Sequence, residues 1–200
     1  MLTARQSAHL RGLPVDLVSN TSQVIVPEVA QFSDFVMESR LPRIAGAALT
    51  EDTAYFVYLG TLKKNITALK LFFHVTTGGT GAQTAECGLF STPTAPNRAA
   101  QTLTKLAATG TLGDLTGTGV LGNTNSFALD IAAGTHLWAG IRTAMATNEP
   151  QIYGLTGDKS YGRVLSTATA GALTASSTFA GALVTAAVTW QAPDLTLHVS

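Results

Sequence analysis

The run from Thr61 to Thr92, TLKKNITALKLFFHVTTGGTGAQTAECGLFST, constrains the fold more than any other part of the chain. Thr67, Leu69, Leu71, Phe73 and Val75 alternate with Ala68, Lys70, Phe72 and His74. Successive side chains of a strand point to opposite faces, so this period of two puts the first set on one face and the second on the other. Gly78, Gly79 and Gly81 follow, and glycine takes the positive φ that a reversal of the chain uses. The stretch therefore reads as two strands joined by a Gly-rich connection.

The same period recurs downstream. AYFVYLG, Thr84 to Phe90, SFALDI and THLWAGIRT read as strands, the last two flanking Ala133-Gly134 as a hairpin signal. QTLTKLA alternates, with Leu103 and Leu106 out of register, and ALVTAAVTWQA places Val184, Ala186, Val188 and Trp190 on one face. Gly110 to Gly122 reads as a long Gly and Thr loop, and residues 144 to 181 as irregular. Eight or so strands separated by turn signals predict an all-β protein, an antiparallel β-sandwich. Long connections alternating with short ones favour a jelly-roll-like topology. The expected core is Leu71, Phe73, Leu89, Leu137, Ile141, Val188 and Trp190.

Residues 1–50 differ. Pro14, Pro27 and Pro42 interrupt any long element, and apolar residues come in short clusters. Ser33 to Glu38 would make a turn or two of helix; the rest reads as an extended N-terminal arm carrying one or two short strands. The division expected is an arm, 1–50, for anchoring or assembly and a β-sandwich domain, 51–200. Val24, Val26, Phe32 and Phe35 are the candidate arm anchors, because an apolar segment without a core of its own packs on something else.

Composition narrows the function. The chain is 46% hydrophobic but only 12% charged, with 12 basic and 12 acidic residues and a net charge of zero. Soluble domains average about 25% charged, and a neutral, charge-poor surface favours association; burial in an assembly is the reading. Lys63-Lys64 is the sole adjacent basic pair, so no direct nucleic-acid contact is expected. No apolar run approaches the roughly 18 residues of a membrane helix, so no membrane insertion is expected. MLTARQSAHLRG lacks the hydrophobic core of a signal peptide, so export by that route is not expected. Cys87 is the only cysteine and reads as a buried structural thiol.

Candidate chemistry is sparse. Gly117-Thr118-Gly119-Val120-Leu121-Gly122 matches G-x-G-x-x-G, but no strand precedes it and no helix follows, so it reads as a loop. His9, His74, His136 and His198 have no metal-ligand spacing, and the last three read as solvent-facing or interface residues. Glu51-Asp52, Asp114, Asp130 and Asp158 are scattered, and no G-x-S-x-G elbow occurs. No catalytic, cofactor or metal residue is assigned, and the expectation is not an enzyme. Trp138 and Arg142 share a strand face and are the candidates for an interface or glycan contact.

The run AYFVYLGTLKKNITALKLFFHVTTGGTGAQTAECGLFSTPTAPNRAAQTLTKL, followed by AAGTHLWAGIRTAMATNEP, resembles tailed-bacteriophage virion proteins of the small β-sandwich type, whether decoration, neck-fibre or tail components. The resemblance covers roughly residues 50 to 200 and carries over no functional residue. It implies a structural component of the virion, assembled in the host cytoplasm as a symmetric oligomer such as a homotrimer. Its partners would be itself and the major capsid protein or another virion protein, with the N-terminal arm as the attachment. The alternative is a receptor-binding or carbohydrate-binding module of a tail or fibre that contacts a host glycan.

Overall fold

The computed structural model describes residues 36–38, 43–81, 83–96, 99–110, 112–145, 147–155, 164–167, 171–183 and 192–200. Val24, Val26, Phe32 and Phe35 lie outside them, as do Val184, Val188 and Trp190. Every helix or strand among the described residues is a strand. In chain order these are β1 (Val36–Glu38), β2 (Arg43–Ala48), β3 (Thr53–Thr61), β4 (Ile66–Thr77), β5 (Gln83–Thr92), β6 (Gln101–Thr109) and β7 (Gly119–Gly122). Then follow β8 (Leu129–Ile131), β9 (His136–Met145), β10 (Gln151–Leu155), β11 (Val164–Thr167), β12 (Thr178–Leu183), β13 (Ala192–Pro193) and β14 (Thr196–Val199).

The fold is all-β and antiparallel, but it is a barrel beside a sheet, not a plain jelly-roll sandwich. Six strands close in the order β11-β12-β6-β5-β9-β3. The second sheet follows β1-β14-β4-β10-β13, with β2 on β10 and β7 and β8 on β4. Closure comes from β11, whose Val164 to Thr167 pair with Val57 to Ala54 of β3. The stretch 144–181, irregular by sequence, thus supplies β10, β11 and β12.

Two cores result. One fills the barrel: Phe56 and Tyr58 from β3, Phe90 from β5, Leu103 from β6, Trp138 from β9, Leu165 from β11 and Phe179 from β12 all belong to it. The other lies between the barrel's outer wall and the sheet. Val57, Leu59, Leu89, Leu137 and Ile141 meet Leu71, Phe73, Val75, Ile152 and Leu197 there. Strands β3, β5 and β9 serve both cores and are buried on both faces; β3 is buried from Thr53 to Gly60. Leu71, Phe73, Leu89, Leu137 and Ile141 are buried as expected.

The alternation in β4 changes phase. Its buried residues are Ile66, Ala68, Leu71, Phe73 and Val75, so Thr67 and Leu69 do not share the face of Leu71. Lys70 pairs with His198 and Ala68 with Val199, which leaves Leu69 as an extra, bulged residue. Its carbonyl accepts hydrogen bonds from Phe127 N at 2.7 Å and Ser126 Oγ at 3.1 Å. A second bulge falls where QTLTKLA looked out of register: Leu89 pairs with Ala107 and Phe90 with Lys105, skipping Leu106.

Two connections, the Gly-rich one after β4 and the expected hairpin at Ala133-Gly134, are crossings between sheets. Strand β4 is in the open sheet and β5 in the barrel, and the same holds for β8 and β9. Of the three glycines after β4, Gly81 alone has positive φ. Gly78 and Gly79 are needed for close approach instead: a Cβ on Gly78 would collide with the backbone of Thr116, and one on Gly79 would lie 2.7 Å from Asn148 O. The crossing is held by Gly79 N to Leu115 O at 2.9 Å and Thr80 N to Asn148 O at 3.0 Å.

Residues 36–38 form a strand, not the expected helical turn, and with β2 they join the open sheet. Val36 pairs with His198, and Arg43 to Ala48 pair along β10. Sheet pairing therefore begins well before residue 50.

Candidate interaction surface

The outer face of the open sheet is where β4 turns its second set of residues. Lys70, Phe72, His74 and Thr76 are half-buried there. Across the ladders, Lys70 meets His198, Phe72 meets Thr196 and Gly122, and His74 meets Val120. Tyr153 of β10 completes the group; its ring stands edge-on to His74, with centroids 4.6 Å apart and planes at 88°. Val120 is the large hydrophobic residue that is exposed among those described, at 67%. Together they make an aromatic and aliphatic face ringed by threonines, histidines and one lysine. The G-x-G-x-x-G motif is absorbed here: its second half is β7, and a Cβ on Gly122 would collide with Leu71 O, so that glycine lets β7 lie close against β4.

Asn123 fastens this edge from beneath. It is 2% exposed, its Oδ1 accepts from Leu71 N at 2.7 Å, and its Nδ2 donates to Asn125 O. Gln83 does the same for the long loop: its Nε2 donates to Gly113 O at 3.1 Å and its Oε1 accepts from Leu115 N at 2.8 Å. That loop is consequently structured, with Leu115 fully buried. Asp114 accepts from the backbone and then the hydroxyl of Thr116, which holds its carboxyl below the ordinary value.

The barrel ends are polar. At one end Thr61 Oγ1 shares hydrogen bonds with Tyr58 OH at 2.7 Å and with His136 Nδ1 at 2.8 Å. At the other, Glu86 and Arg142 face each other across β5 and β9, and Arg142 pairs with Asp52. Glu86 is 9% exposed and accepts from Leu173 N and, at 2.8 Å, from Thr174 Oγ1. Glu86, Asn123 and Gln83 were not singled out by sequence. A buried role for a polar residue inside an alternating strand depends on which faces the fold covers, and barrel closure covers both.

Trp138 and Arg142 do not make an exposed face. Trp138 is fully buried in the barrel core, where its ring packs on Tyr58 at 5.1 Å and its Nε1 donates to Thr92 Oγ1 at 3.0 Å. The period-two argument grouped it with His136 and Arg142, opposite Leu137, Ala139 and Ile141, as a candidate contact; closure makes that face the inside. Of the histidines, His74 and His198 lie on the outer face and His136 at the barrel end, all half-buried. Cys87 is fully buried, and burial, with the neighbouring Glu86 charge second, pushes its thiol up to about 12. Among the described residues no three His, Cys, Asp or Glu side chains gather as a metal site, and no helix is long and apolar enough to cross a membrane.

No protein-family model, curated protein or solved structure matches the chain.

Proposed function

We propose that this chain is a structural component of a bacteriophage virion, working through protein contacts, assembling as a homotrimer or other symmetric oligomer, and attached to the capsid or tail through its N-terminal segment. The supporting observation is the way that segment ends. Its last residues enter the open sheet as β1 beside β14 and β2 beside β10. Backbone pairing of an extended segment is a general means of docking, with apolar side chains supplying anchors. The residues upstream of Val36 include the candidate anchors Val24, Val26, Phe32 and Phe35, and they are continuous with a sheet whose outer face carries Phe72, His74, Val120 and Tyr153.

The test is a truncation. Removing residues 1–45 would take away β1 and part of β2, so the informative deletion is 1–35. The shortened protein should fold and lose its place in the particle. Incorporation at the normal copy number would overturn the anchoring role, and a monomeric full-length chain in sedimentation would overturn the oligomer. The second reading, a glycan-binding module, is favoured by the ring pair of Tyr153 and His74. A glycan array distinguishes it, with Tyr153→Ala abolishing any signal.

A further inference from the structure

The barrel is unevenly walled. Strands β3, β5, β6 and β9 run 9 to 10 residues, whereas β11 has 4 and β12 has 6. Strand β12 starts at Thr178, opposite Thr104, so among the described residues its pairing reaches only the first half of β6. Residues 171–177 cover the gap. Their turn is closed by Ala175 N to Ala172 O at 3.1 Å, and Lys105 N donates to Ser177 O at 2.8 Å, extending the ladder by one bond.

Leu173 projects from this turn and is fully buried in the barrel core. Its position is fixed by charge. The Glu86 carboxylate takes Leu173 N on Oε2 and Thr174 Oγ1 on Oε1, while Lys105 Nζ donates to Thr174 O at 2.6 Å. Arg142 stands opposite Glu86 on β9, and Asp52 pairs with it. Among the described residues, the contacts that hold the turn include the Leu173 side chain, the backbone bond from Lys105 N to Ser177 O, and a small set of hydrogen bonds to the Glu86 and Lys105 side chains.

We propose that residues 171–177 form a plug closing one end of the barrel, latched by Glu86 and Lys105, which opens as a unit without unfolding the barrel. Hydrogen bonds to charged groups are among the stronger ones, but they are few here. The barrel walls, by contrast, are held by continuous ladders such as the ten residue pairs between β5 and β9. The plug therefore has the character of a local unit whose opening costs less than global unfolding.

Amide hydrogen exchange on the full chain tests this. In the wild type, Leu173 N, Ala175 N and Lys105 N should share one protection level, below that of the β9 amides. Glu86→Gln keeps the shape, but one of the two accepting oxygens becomes an NH2 donor, so one of the two latch bonds loses its acceptor. It should lower the shared protection by about tenfold or more and leave β9 unchanged. Thr174→Val, which removes one latch bond and keeps the carboxylate, should act in the same direction and serves if Glu86→Gln fails to fold. The proposal is overturned if the three amides exchange together with β9 in the wild type, or if the latch variants shift both sets equally.

Discussion

Gly140 is the position where the filled barrel is most sharply testable. It lies in β9 between Phe56 of β3 and Gly88 of β5. A Cβ there would sit 2.7 Å from Phe90 Cε2 and 2.9 Å from Phe56 Cδ1. Those rings pack edge to face at 4.9 Å, and each touches Phe179, at 5.8 and 5.5 Å. The methyl of Gly140→Ala thus meets the atoms of two rings that are themselves packed against Phe179. Overpacking of this kind costs about 1–3 kcal/mol. The lower chain entropy of alanine offsets about 0.4–1 kcal/mol, so packing strain dominates. Gly171→Ala is the control, because its Cβ would meet nothing within 4 Å. Urea denaturation at constant m value should separate the variants by about 1–3 kcal/mol. Adding Phe90→Leu to Gly140→Ala should recover part of the loss, with a coupling of about 0.5–3 kcal/mol. Equal midpoints for Gly140→Ala and Gly171→Ala would refute the packed lumen.

Phe73 is 3% exposed in the core between the barrel and the sheet, so Phe73→Ala should cost roughly 3–5 kcal/mol; a change within about 0.5 kcal/mol in the same denaturation assay would place it at a surface. Asn123→Ala leaves Leu71 N without its acceptor and should cost about 1–3 kcal/mol, which thermal melts would miss only if water replaces the amide. For Cys87, the native thiol keeps its proton from pH 9.0 to about 12 while the unfolded chain releases it. The unfolded state then binds fewer protons, so stability falls as pH rises through that window. Relative to Cys87→Ala, the wild type should lose roughly 4 kcal/mol at about 1.36 kcal/mol per pH unit; parallel pH profiles for the two proteins would contradict the buried thiol.

Strand β4 was legible because alternation survives wherever one face is dry and the other wet. Its core residues Leu71 and Phe73 followed from that pattern. The errors have three physical sources. Strands β3, β5 and β9 are dry on both faces, and there period two says only that faces alternate, not which one is inside; Trp138 was taken as a candidate interface or glycan contact for that reason. Strands β10 and β11 were missed because they are short, at five and four residues, and β12 because four of its six residues are Thr, Gly or Ala. A Cβ on Gly181 would lie 2.7 Å from Leu103, so the smallness that hid the strand is what lets it close the barrel. Bulges at Leu69 and Leu106 shift the phase within a strand. The second left a trace in the sequence as misregistered leucines, whereas the first was masked because Leu69 is itself apolar.

The same architecture changes what the composition means. From sequence, 46% hydrophobic and 12% charged residues pointed to surface buried in an assembly. A layer of strands shared by two cores creates the same bias within one chain. Phe56 and Val57, adjacent in sequence, are both buried, each in a different core. Charged side chains are excluded from both faces of such a layer unless they find partners, as Glu86 does in Leu173 N and Thr174 Oγ1 and Arg142 in Asp52 at the barrel end. The excess of apolar residues in β3, β5 and β9 thus follows from the barrel's position behind the sheet and does not require a partner. The outer face of the open sheet is different, because no second core among the described residues explains Phe72, Tyr153 and the exposed Val120 there. The weight of the assembly reading accordingly moves from bulk composition to that face and to the strands β1 and β2 that lead into it.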